Sequence, residues 1–288
     1  MPLQKSLSFR GLGLAFPGID QAAKLAASAG FDALDLPVRD LYESHISPTH
    51  VRKLLASHAL AIGACPFPLD WRSSESAFRH TIQNLPAYTD YALGMGIEKF
   101  YTRVSESVDT HETAENTIAW HLDRLGQIAE LLQKNSLRLA FETVGVASFR
   151  QGRLPLMPTL TAVKHHLAPL FRSFPNTGLL VDAFHLHASA ESLEAATGGF
   201  ENRIFGVHVA DLPGPTPPSQ IIDNVRALPG TSSVVPVRAI LAGLVSNCIS
   251  APVMVETVSN PLSHQGLTEV EIVGRVAASL RDVFPAGA

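Results

Sequence analysis

A chain of 288 residues with 46% hydrophobic and 17% charged side chains is long enough for one large core or two modest ones. Its net charge of −4, with no run of Lys and Arg, offers a phosphate backbone no footprint, so nucleic acid is not an expected partner. Cys65 and Cys248 have neither metal-ligand spacing nor a disulfide framework, which fits a reducing compartment and two buried, inert thiols. The N-terminal stretch lacks the continuous apolar core of a signal peptide and no run of ~18 apolar residues follows, so a soluble, cytoplasmic protein without a membrane partner is expected.

In chain order, strands are predicted at SFRGLGLAF (8–16), FDALDLPV (31–38), LAIGACPF (60–67), KFYTRV (99–104), LRLAFETVG (137–145), GLLVDAFHL (178–186), IFGVHVAD (204–211) and PVMVETVS (252–259). Amphipathic helical segments lie between them. Ile118, Leu122, Leu125, Ala129 and Leu132 recur at helical spacing in 113–133, as do Val273, Val276, Leu280 and Val283 in 268–284. Ser47 followed by Pro48, and Thr268 before an apolar-periodic run, read as helix starts. Alternating strands and helices imply a parallel sheet, either an open doubly wound sheet or a closed barrel. The count of eight favours a (β/α)8 TIM barrel, and the glycine-rich phosphate loop of the open rival fails because Phe16 stands where its third glycine belongs after Gly11 and Gly13. The Pro-rich stretch 213–220 reads as a loop after a strand, so one domain over 1–288 suffices.

The stretch LLVDAFHLH poses the functional question, because a buried strand has no use for an acid and two imidazoles unless they are paired or bind a metal. In a parallel barrel the working surface is the ring of C-terminal strand ends. There the fifth strand supplies Glu142, the sixth Asp182 and His185, the seventh His208 and Asp211, and the eighth Glu256. One such acid is ordinarily a helix cap, but four successive strand ends are poorly explained by capping. Converging carboxylates repel unless a cation joins them, and a Glu/Asp/His/Glu set suits one divalent ion, whether Mn2+, Co2+, Mg2+ or Zn2+. His187 would face away from its neighbours on a strand and reads as packing or as support behind the ligands, while His121, His165 and His166 read as surface residues of helices.

The order Glu142, Asp182, His185, His208, Glu256 resembles that of the xylose-isomerase-like barrel superfamily of sugar isomerases, epimerases and related lyases. FETVG, VDAFHLH, HVADLPG, DNVRALPG and VETVSNP are similar to segments of its 2-keto-myo-inositol isomerase branch, whereas the first half of the chain is generic. The resemblance implies Glu142, Asp182, His208 and Glu256 as metal ligands and His185 as a substrate contact. The chain departs from the ketohexose 3-epimerases, reading VGVASFR and ADLPGPTP where they carry characteristic Arg-containing segments, and PGTSSV lacks the usual loop acid. The added histidines of the zinc endonucleases on this fold are also missing.

The chemistry then expected is proton transfer beside a carbonyl through a metal-stabilised enediolate, with Glu142 and Glu256 as acid and base and His185 bonding the oxygen that gains charge. Arg226, Asp223 and Arg103 are candidates for substrate hydroxyls or a carboxylate, or else for rim salt bridges. Trp71 is a candidate cover for a sugar or cyclitol ring, or else packing. The expected function is a metal-dependent isomerase or epimerase of a small keto-polyol or keto-sugar in carbohydrate metabolism. The alternative is a dehydratase of inosose or 3-dehydroshikimate type, with a non-catalytic sugar-binding barrel as the third reading. Barrels of this kind often form homo-oligomers.

Overall fold

The computed structural model describes residues 3–109, 111–150, 152–258 and 266–285. Nine parallel strands form one nearly closed barrel: β1 (Gln4–Leu7), β2 (Ala33–Leu34), β3 (Ala61–Ile62), β4 (Cys65–Pro66), β5 (Lys99–Arg103), β6 (Arg138–Glu142), β7 (Thr177–Asp182), β8 (Ile204–Val209) and β9 (Pro252–Val255). The neighbours run β3-β2-β1-β9-β8-β7-β6-β5-β4. The ninth strand arises because the third predicted one is split. β3 bonds to β2 and β4 bonds to β5, with Gly63 and Ala64 between them carrying the chain across the seam. Only glycine fits at 63, since a Cβ there would run into the Asp35 carboxylate and the Ser6 hydroxyl.

The helices outside the barrel are α1 (Ile19–Ala29), α2 (Val38–Glu43), α3 (Pro48–Ser57), α4 (Glu75–Met95), α5 (Ala114–Lys134), α6 (Leu160–His166), α7 (Ala168–Ser173), α8 (Ala183–Ala188), α9 (Leu193–Thr197), α10 (Val237–Ser246) and α11 (Glu269–Val283). Their apolar stripes pack on the strands' outer faces, as the spacings in α5 and α11 predict. Ser47 precedes α3 with Pro48 at its first position, and Thr268 and Glu271 close a reciprocal capping box on α11. None of the helices among the described residues is long and apolar enough to cross a membrane.

Two further predicted elements are corrected. The first strand is Gln4–Leu7, not 8–16, because residues from Ser8 onward turn: Leu14 N–H bonds back to Phe9, and Gly11 O receives Thr257 and Val258 N–H. A side chain at Gly11 would lie 2.7 Å from Val255 O, so this Gly-x-Gly serves close packing on β9 and not a phosphate loop. The sixth strand stops at Asp182, where the chain enters α8, so His185 and His187 sit on a helix. Position 259, the last of the predicted eighth strand, and 259–261 of VETVSNP lie outside the described residues. Cys65 is buried as expected, but Cys248 is exposed, because it occupies a left-handed turn position (φ 56°) just past α10.

The strands' two-residue period sets the site. A second cluster, separate from the helix-covered core, includes Tyr101, Ala140, Leu180 and Met254. Two residues further along their strands stand Arg103, Glu142, Asp182 and Glu256, on the same inward side and one step nearer the C-terminal mouth.

Candidate active site at the barrel mouth

Four elements deliver the central side chains. Glu142 and Asp182 end β6 and β7, His208 is the next-to-last residue of β8, and Glu256 follows β9. Asp182 also caps α8: its Oδ1 accepts from Phe184 N at 2.7 Å and His185 N at 3.3 Å, leaving Oδ2 for the site. One carboxylate thus ends a strand, starts a helix and faces the barrel mouth.

The ligand-type atoms of Glu142, Asp182, His208 and Glu256 all lie within 4.8 Å of one another. His208 Nδ1 stands 2.9 Å from Glu142 Oε1 and 3.4 Å from Glu256 Oε2, and its ring meets Tyr101 edge-on at 5.0 Å. Burial alone would favour neutral imidazole, but the charges of Glu256 and Glu142 hold His208 well above its usual pKa. Glu256 is half-buried, and although desolvation works against its charged form, His208 and Arg226 hold its carboxyl well below the usual range. In this arrangement a proton on Nδ1 serves as the cation between carboxylates. The carboxylates of Glu142, Asp182, Glu256 and Asp223 against the single Arg226 guanidinium leave three negative charges if His208 is neutral, an excess that a divalent ion would largely cancel. The donor set therefore fits such an ion.

Arg226 is the hub on the far side. It is 3% exposed; Nη1 reaches Asp182 Oδ2 and Glu256 Oε2, both at 3.1 Å, and Nη2 reaches Asp223 Oδ1 at 2.6 Å and His185 Nε2 at 3.1 Å. The Phe184 ring closes over the guanidinium at 4.3 Å. Arg226 and Asp223 therefore form no rim salt bridge; with His185 they make a buried brace behind the carboxylates. Asp211, the other strand-end acid, is fully buried and bonded to the N–H groups of Leu212, Ser232, Ser233 and Val235, so it ties down the 230s loop.

A cavity of about 830 Å3 opens over Glu142 and Glu256, within the size range of small-molecule sites. Trp71 borders it but is only 2% exposed: its ring lies against Trp120 and its Nε1 donates to Thr102, so it packs the wall and is no open platform for a sugar ring. His121 is also corrected. It is fully buried, with Nδ1 at 2.7 Å from Thr117 O and Nε2 accepting from Ser105 N, and burial pushes it down to about 4. His165 is exposed and His166 and His187 are half-buried.

Sequence reasoning missed three side chains on this cavity. Tyr101 stands on β5 with its phenol raised well above the ordinary value, by burial first and then by Asp35, Glu256 and Glu142, so it keeps its proton. Asp35, just past β2, is 4% exposed, accepts from Ser6 Oγ at 2.6 Å, and is pushed up to about 7 by burial. Arg72 joins Arg103 on the wall. An acid after the apolar run FDAL was a signal of the kind used for the later strands.

Solved structures with the same architecture include a xylose isomerase domain protein from Alicyclobacillus acidocaldarius (22% identity, 98% of each chain, TM-score 0.84). Others are the IOLI protein with a binding zinc atom (18% identity, 98% of each chain, TM-score 0.79) and the probable 3-DHS dehydratase AsbF from Bacillus anthracis (14% identity, 97% of this chain and 99% of that one, TM-score 0.76). At these identities the likeness is one of fold. No curated protein matches the sequence. Residues 23–282 match the family described as xylose isomerase-like TIM barrel, and the chain belongs to that family.

Proposed function

We propose that the protein is a divalent-metal-dependent isomerase or epimerase of a small keto-polyol or keto-sugar. The observation that carries the reading is the convergence of Glu142, Asp182, His208 and Glu256 within 4.8 Å beside a cavity of substrate size. These four residues would hold Mn2+, Co2+, Mg2+ or Zn2+; the IOLI relative is described with zinc. When bound, the ion would supply Lewis acidity, drawing charge from a carbonyl and a neighbouring hydroxyl so that the proton on the carbon between them leaves more easily. Glu142 and Glu256 both border the cavity and stand on either side of the β7–β8 pair, so each can address one face of that carbon, one removing the proton and the other returning it. Glu256 is tied down by both Arg226 and His208, whereas among the described residues Glu142 bonds only to His208, which makes Glu142 the freer base. The Arg226–His185–Asp223 brace holds Asp182 and Glu256 in position.

A dehydratase is the second reading, supported by Tyr101, whose protonated hydroxyl on the cavity wall could deliver a proton to a departing β-hydroxyl. Incubating metal-loaded protein in D2O with inososes, ketohexoses and 3-dehydroshikimate tests both. Deuterium beside the carbonyl with an epimer or shifted ketone is expected for the first, and ultraviolet absorbance of an unsaturated product for the second. Absence of exchange with every substrate and each of the four ions would end the proposal.

A further inference from the structure

The β1–β5 side of the cavity carries four guanidiniums, on Arg10, Arg39, Arg72 and Arg103. Arg39 is spent on Glu43, 2.8 Å away. Arg72 and Arg103 have no hydrogen bond or ion pair from their side chains among the described residues, and Arg103 Nε is buried without a partner. Cζ of Arg103 lies 5.2 Å over the Phe149 ring, which fixes the group but gives its N–H donors no acceptor. The acids nearest to Arg72 are turned elsewhere: Asp70 takes the Ser73 hydroxyl and Arg72 N–H, and Glu106 faces Arg153 at 3.7 Å.

Both guanidiniums stand on fixed supports. Arg103 ends β5, where it pairs in register with Glu142 of β6. Arg72 lies in a loop held by the buried Arg124, which donates to Trp71 O at 2.8 Å and Ser73 O at 2.7 Å, and by Thr81, which donates to Asp70 O. Trp71 Nε1 donates to Thr102 at 2.8 Å, which ties together the residues just before Arg72 and Arg103 on the same cavity wall, and Arg103 adds to burial in pulling Arg72 below its ordinary pKa. Asp70 and Glu106 offset part of the repulsion at Arg72 but bond to other donors, so two like charges with a desolvated N–H on Arg103 still lack an acceptor that an anion would supply.

We infer that Arg72 and Arg103 form an anion seat beside Glu142, and that the substrate is a small keto-polyol bearing a carboxylate. Adjacent strands lie about 4.8 Å apart, so a carboxylate seated at Arg103 belongs to the same small molecule as a carbon presented to Glu142. Two planar forks match the two oxygens of a carboxylate. Arginine forks also take phosphate, but a phosphate gains most from a cradle of backbone N–H groups, which the Gly11 turn, packed on β9, does not form. The inference rests on the proposed role of Glu142 and Glu256, and binding measurements separate the two.

The test is calorimetric titration of the metal-loaded protein with quinate, myo-inositol and myo-inositol 1-phosphate, which share a polyhydroxylated six-membered ring and differ in charge. Quinate is expected to bind at least tenfold more tightly than myo-inositol, and Arg72→Gln and Arg103→Gln each to weaken quinate about tenfold or more while leaving myo-inositol and the bound metal unchanged. Equal affinity for quinate and myo-inositol, quinate binding unaltered in both variants, or no quinate binding below about 10 mM would overturn the seat; a preference for the phosphate ester would overturn the carboxylate. Titration of wild type and Glu142→Gln with Mn2+ or Zn2+ alone reads the metal site separately. A protein that binds no ion but still selects quinate through the two arginines keeps the seat and loses the proposed function, and one that binds an ion without selecting quinate does the reverse.

Discussion

On the β6–β9 side of the mouth, strands of four to six residues carry Glu142, Asp182 and His208 to the rim, with Glu256 one residue past β9, in a network where each carboxylate has a cationic or imidazole partner. On the β1–β5 side, β2, β3 and β4 are two residues each, loops form the wall, and Arg72 and Arg103 face the cavity unpartnered among the described residues. The contrast is one of satisfied against unsatisfied charge. A closed network holds groups that must keep one geometry through a reaction, and an open one leaves donors for the part of a ligand that identifies it. The two sides thus divide chemistry from recognition.

The largest effect that would sharpen this division is on proton transfer. Glu142→Gln and Glu256→Gln keep an oxygen ligand but remove a base, and each is expected to lower deuterium exchange at the substrate carbon by about 10²- to 10⁴-fold at saturating metal. Wild-type exchange in both variants would break it. Next comes Arg226→Leu, which leaves buried Asp182 and Asp223 and half-buried Glu256 without their cation and is expected to cost roughly 3–5 kcal/mol in the metal-free protein, measured by urea unfolding. A divalent ion should return part of that loss, since it replaces positive charge at the same carboxylates. A variant as stable as wild type would show that the closed network is not what holds this side together.

The β6–β9 side was legible in the sequence for a physical reason. Its strands are long enough to show as apolar runs, and an acid at the end of a run such as LLVD has few bland explanations. The role of Asp182 as a helix cap was less visible, because AFHLH satisfies strand and helix patterns alike, and His185 was therefore placed on the wrong element. The β1–β5 side was mostly illegible. β1 is the four residues QKSL with a single apolar side chain, so the apolar turn after it is the stronger strand signal, and β3 and β4, at two residues each, have no period to separate them. Tyr101 in KFYTRV and Arg72 after a tryptophan look like ordinary wall and surface residues until the barrel closes around them. Asp35 takes its meaning from Ser6, 29 residues away, and His121 from Ser105 and the wall it packs on. Nothing local announces either contact.

A smaller effect concerns the proton on His208. Because its imidazole is held above its usual pKa, an ion must displace that proton to bind Nδ1. Divalent affinity is therefore expected to rise with pH, by up to about tenfold per unit while one proton is exchanged. Calorimetry in two buffers of different ionisation enthalpy counts the protons released, and an affinity flat from pH 6 to 8 would contradict a protonated His208.

The smallest effect tests whether the open side is open throughout. Asp35 is its exception, a buried acid that accepts from the Ser6 hydroxyl, with Oδ2 unpartnered among the described residues and the carboxyl pushed up to about 7 by burial. Between the ordinary value of 3.8 and that raised value the folded protein binds a proton that the unfolded chain has lost. Asp35 therefore lowers stability as pH rises across this window, and the decline levels off above it. For one group the slope is at most about 1.4 kcal/mol per pH unit, so a loss of roughly 2 kcal/mol between pH 5 and 7 is expected in chelator-treated protein. Asp35→Asn retains an acceptor for Ser6 but cannot titrate, and its stability should lack that component of the decline. If urea unfolding gives wild type and Asp35→Asn the same dependence on pH, Asp35 is ionised at neutral pH, and the β1–β5 wall must hold a cation close to it.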